Sequence, residues 1–65
     1  MDEKPRLMSL TEVTEATTMS RFLISAPAKE GHFPKPIPLT TKRIAFVRAE
    51  VEAWIDRRIA ARDRR

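Results

Sequence analysis

The 65-residue chain has few groups that make or break covalent bonds. It has no Cys, no Tyr and one His, His32. A catalytic nucleophile needs a neighbouring base and a third group to orient that base. One His among scattered Ser residues does not supply that set. Without Cys there is neither a disulfide nor a thiolate zinc site, and one His makes no His-rich metal site. Glu50, Glu52 and Asp56 are accounted for by helix electrostatics and solubility, not acid–base chemistry. Nothing in the sequence supports an enzyme, and it implies no cofactor.

The side chains are better suited to binding anions. Lys plus Arg number 13 against 9 Asp plus Glu, a net charge of +4, and the isoelectric point is about 10.4. On so small a chain this favours a polyanionic partner, nucleic acid first, although such an excess also serves solubility alone. Ser20 and Arg21 open a helix, where backbone N–H groups and a guanidinium hold phosphate; the plain alternative is an N-cap and a solvated Arg. Phe22 and Leu23 suit thymine methyl groups, a protein contact or the core; one of the two is expected in the core and the other exposed. Ser25 reaches a base edge or caps a turn at Pro27. Lys29, His32 and Lys35 form a basic group that lines phosphates or is simply solvated. Thr41, Lys42 and Arg43 lie in a hairpin loop, and an Arg there suits a narrow minor groove. Arg57, Arg58, Arg62, Arg64 and Arg65 form a basic end that meets DNA, an acidic partner surface or only solvent.

These groups need a scaffold. A chain of this length forms one domain, burying about 60% of the surface its unfolded form exposes. The apolar fraction of 42% is enough for a core. No apolar stretch is long enough to span a membrane. The first residues lack the apolar segment of a secretory signal, so cytoplasm is expected. Ser9 and Glu12 have capping-box spacing and start a helix at Leu10 or Thr11, ending near Ala16. Ser20 caps a second helix that stops near Ala26 or kinks at Pro27. Gly31 ends this region with positive φ.

His32–Leu39 reads as an edge strand, because Pro34, Pro36 and Pro38 remove donors from one side only. Ile44–Val47 is its partner and Thr40–Arg43 the loop. Val51, Trp54, Ile55 and Ile59 make one face of a last helix, which places Trp54 in the core and not on a stacking surface. The order is helix, short turn, helix, two-stranded hairpin, helix: an α+β, mostly helical, small winged helix-turn-helix. Residues 1–6 form a disordered arm, 7–61 the domain and 62–65 a basic end.

The stretch Leu10-x-x-Val13, Ser20-Arg21, Lys29-Glu30-Gly31-His32-Phe33-Pro34-Lys35-Pro36-Ile37 and Glu50-Val51-x-Ala53-Trp54-Ile55 resembles the AlpA family, from about Leu7 to Ala61. These are small phage-type regulators and excisionases with a MerR-like winged helix-turn-helix. The resemblance implies sequence-specific binding to double-stranded DNA at an attachment site or promoter. It also implies transcriptional regulation or recombination directionality, with DNA bending, cooperative self-association and an integrase as protein partner. Family members usually carry Gly in the turn before the second helix and in the wing; here these positions hold Thr18 and Thr40-Thr41-Lys42-Arg43. A second class of function is a protein-interaction module on the same scaffold, engaging an integrase, an RNA polymerase subunit or itself through Phe22, Leu23 and Pro27.

Overall fold

A computed structural model describes residues 4–62. The expected arm and basic end therefore lie partly outside the described residues. The elements are β1 (Leu7–Met8), α1 (Leu10–Thr17), α2 (Arg21–Lys29), β2 (Ile37–Pro38), β3 (Ile44–Val47) and α3 (Arg48–Arg62). The three strands form one antiparallel sheet in the order β1-β3-β2. This is an α+β, mostly helical arrangement compatible with a small winged helix-turn-helix.

The start of α1 is fixed by the expected capping box. The Ser9 hydroxyl accepts from the Glu12 N–H at 3.1 Å, and the Glu12 carboxylate accepts from the Ser9 N–H at 2.8 Å. The helix runs to Thr17, one residue past the expected end, and closes on Thr18 with φ 62° and ψ 17°. Thr17 completes the last turn because its hydroxyl donates to the Val13 carbonyl at 2.8 Å. Thr18, Met19 and Ser20 then form a three-residue turn, and the Ser20 hydroxyl caps α2 by accepting from the Leu23 N–H at 3.3 Å.

Pro27 does not stop α2, which continues to Lys29. Proline removes the one donor that would meet the Leu23 carbonyl, and Leu23 lies in solvent. Ile24 and Ala28, one turn apart, are both buried and hold the last turn against the core. Gly31, at φ 84°, ends the helix as expected. The His32 N–H donates to the Pro27 carbonyl at 2.8 Å and the Gly31 N–H to the Ala28 carbonyl at 3.2 Å, a Schellman closure.

The sheet has one strand more than the expected two-stranded hairpin. Leu7 pairs with Val47 and Met8 with Phe46, so β3 is central. Two apolar residues are too few to carry a strand period, and only their partner makes them a strand. The edge position of the proline-bearing strand is as the alternation requires, with Ile37 opposite Ala45 and Pro38 opposite Ile44. The strand itself is only Ile37–Pro38, however, and not the whole of 32–39. Phe33 is 3% exposed and turns into the core, which takes its segment off the ladder.

The core contains Met8, Val13, Ile24, Ala28, Phe33, Phe46 and Val51, with Leu10, Met19, Trp54 and Ile55 packed against it. Phe33 meets Phe46 and Trp54 edge-on, with ring centroids 6.0 and 4.8 Å apart. The Trp54 indole N–H donates to the His32 carbonyl at 2.9 Å, so Trp54 is a packing residue as expected. Helix α3 begins directly after β3, earlier than its apolar stripe suggests. The Arg48 N–H needs no side-chain cap, because it donates to the Arg6 carbonyl at 2.8 Å. Ile59 departs from the expected inner face and is 50% exposed, since the far half of α3 runs beyond the core. No helix among the described residues is long and apolar enough to cross a membrane.

Candidate nucleic-acid interface

Helix α2 sits on the core through Ile24 and Ala28. Its solvent side carries Arg21, Phe22, Leu23, Ser25, Ala26 and Lys29, all exposed, and no carboxylate. The expectation that one of Phe22 and Leu23 is buried does not hold: they are 84% and 57% exposed. The residues between buried positions i and i+4 of a helix point elsewhere, and Ile24 with Ala28 takes the inner face. The Ser20 hydroxyl oxygen is engaged by the Leu23 N–H. The Arg21 and Phe22 N–H groups have no helical carbonyl four residues back, so they face outward at the positive end of the helix.

A groove separates α2 from the hairpin and is lined by Ser25, Ala28 and Lys29 on one side and Lys35, Pro36 and Ile44 on the other. Three of the candidate residues, Ser25, Lys29 and Lys35, thus share one surface. Ile44 belongs to it too, a residue that sequence reasoning assigned only to pairing. The signal was there: Ile44 and Phe46 are two apart on β3 and must share a face.

His32 does not join Lys29 and Lys35. It lines a separate groove with Phe33, Glu50, Trp54 and Arg57, and its Nε2 lies 3.9 Å from the Glu30 carboxylate. The fold separates it because Gly31 reverses the chain and the Trp54 indole binds the His32 carbonyl. Arg58 and Arg62 line a third groove with Met19, Ile55 and Ile59. The Arg58 guanidinium stands 5.8 Å from the centre of the Trp54 ring.

The hairpin loop is tightly closed. The Leu39 and Thr40 N–H groups both donate to the Arg43 carbonyl, at 2.8 and 3.2 Å, and the Arg43 N–H returns to the Thr40 carbonyl at 3.4 Å. The Thr40 hydroxyl also accepts from the Lys42 N–H at 3.3 Å. Thr18 is the one non-glycine residue with positive φ among those described, so this loop needs no glycine. Thr41, Lys42 and Arg43 are all exposed on it. Charge is segregated along the chain: α1 carries Glu12 and Glu15 and no base, whereas residues 31–49 carry Lys35, Lys42, Arg43 and Arg48 and no acid. Among the described residues no group of acids, His or Cys is arranged to hold a metal.

The family model described as "Prophage CP4-57 regulatory protein (AlpA)" matches residues 6–59. The chain is also 36% identical over 59 residues to the uncharacterized protein ORF88 of Enterobacteria phage P4, covering 91% of this chain and 67% of that one. No solved structure matches.

Proposed function

The chain belongs to the AlpA family of prophage regulatory proteins, and on that premise we propose that it binds double-stranded DNA as a regulator of a phage or integrative element. The observation that carries the reading is the carboxylate-free surface on which Lys29 of α2 and Lys35 before β2 flank one groove. In this reading α2 enters the major groove, with its N-terminus, Ser20 and Arg21 at a phosphate. Lys29 and Lys35 meet the backbone beside it. The hairpin loop places Thr41, Lys42 and Arg43 against the adjoining minor groove or its phosphates. His32 and Arg57 lie on another groove and serve the backbone only where DNA curves around the protein. Arg58 and Arg62 are assigned to a protein partner such as an integrase. The protein acts in the cytoplasm, as an excisionase that sets recombination direction or as a transcriptional regulator, and copies assemble cooperatively on repeated sites.

A second reading is favoured by the exposure of Phe22 and Leu23: the same scaffold binds an integrase, an RNA polymerase subunit or itself through α2. Fluorescence anisotropy on labelled 30-base-pair duplexes at several salt concentrations separates the two. If about five basic side chains meet phosphate, the log–log salt slope is about −4 to −5. A slope near zero, or no binding at low salt, would sink the DNA reading.

A further inference from the structure

Resting on the DNA-binding reading above, we propose that α2 reads its site mainly through thymine methyl groups, with Phe22 and Leu23 as the specificity-determining side chains. The inner pole of α2 is fixed by buried Ile24 and Ala28. At 3.6 residues per turn the opposite pole falls on Phe22 and Ala26, with Leu23 on one flank and Ser25 and Lys29 on the other. The part of the helix that reaches furthest into a groove is therefore apolar.

The chemistry of base reading narrows what such a surface recognises. Adenine is read by Asn or Gln and cytosine by Asp or Glu, and α2 has none of these. Guanine is read by Arg or Lys; Arg21 is the first residue of α2 and Lys29 the last, and in this reading both go to phosphates at the groove edges. Ser25 has a single hydroxyl, which bonds to any base edge. What remains at the centre is Phe22, Leu23 and Ala26, and the major-groove feature that matches them is the C5-methyl of thymine. Charge selects the occupant: a face this apolar serves a protein partner equally well, but Arg21 and Lys29 stand at the two ends of the helix, the adjoining groove carries Lys29 and Lys35 and no carboxylate, and the one acid beside this face is Glu30 at the C-cap, so the cations outnumber it. A polyanion carrying methyl groups fits both features.

The test begins with selection of the tightest duplexes from a pool with a randomised 20-base-pair centre, using the full chain. The selected duplex is remade with deoxyuridine for every thymidine, which removes the methyl groups and leaves the hydrogen-bonding edges. The expected loss is about fourfold per contacted methyl, and so more than tenfold for two. The Phe22→Ala, Leu23→Ala double variant binds the thymidine and deoxyuridine duplexes equally and keeps the salt slope; circular dichroism confirms its fold, since both side chains lie in solvent. Equal wild-type binding to both duplexes would overturn the proposal. So would selection that returns no preferred sequence, which leaves a phosphate-binding protein and spares the DNA reading. Absence of any DNA binding removes both. Loss of a protein partner by the variant, with DNA affinity and methyl dependence unchanged, assigns the patch to protein and also overturns the proposal.

Discussion

Replacing Thr18 by Gly should stabilise the domain, although it removes a side chain and adds backbone freedom. Thr18 closes α1 at φ 62°, in the left-handed region. An L-residue there costs about 1–2 kcal/mol from its Cβ, and a β-branched one is an outlier. The hydroxyl donates to the Thr17 carbonyl at an exposed position, where water replaces it at little cost. Against this, glycine frees the unfolded chain by about 0.4–1 kcal/mol. The difference favours Thr18→Gly by about 0.5–1 kcal/mol, and in a domain of this size that raises Tm by about 2–8 °C. Thermal melts by circular dichroism should rank Gly above Asn and Asn above Thr, with Val no better than Thr. A Tm unchanged or lower for Gly, with Val equal to it, would refute the reasoning. The strain would then be absent or relieved by the turn.

Four further variants test the packing and the proposed interface. Pro27→Ala restores the N–H that would meet the Leu23 carbonyl and should stabilise by about 1–3 kcal/mol; a lower urea midpoint would show that the ring packs better than the helix bond it replaces. Ile24→Ala empties a fully buried site and should cost about 2–5 kcal/mol, enough to unfold much of so small a domain, whereas Phe22→Ala should leave the urea midpoint within about 0.5 kcal/mol of wild type. Arg43→Ala should weaken duplex binding more than tenfold by anisotropy, and an unchanged affinity would take the hairpin loop out of the interface.

The elements that were legible are those specified within one helical turn or one strand step. Ser9 with Glu12 and Ser20 with the Leu23 N–H satisfy helix starts over three positions, and the Gly31 N–H bonds back to the Ala28 carbonyl over the same span. The alternate prolines fixed the edge position of β2 for the same reason: which side lacks N–H groups depends only on odd and even numbering. What was not legible depends on distant partners. Leu7–Met8 is a strand because Phe46 and Val47 lie opposite it. His32 leaves the basic group because Trp54, 22 positions on, takes its carbonyl.

The run Phe22-Leu23-Ile24 shows why the candidate site was harder to read than the fold. All three side chains are apolar, and composition alone favours burial for each. A helix turns about 100° per residue, so one face of a two-turn helix has room for only two close contacts. Two pairs compete here: Ile24 with Ala28 and Leu23 with Pro27. Seating the second pair would bury the Leu23 carbonyl that Pro27 leaves without a donor. Seating the first leaves Leu23 on the solvent side of the helix, 57% exposed. Pro27, inside α2, thus favours burial of the Ile24–Ala28 face, and with that face inward Phe22 stands at the outer pole.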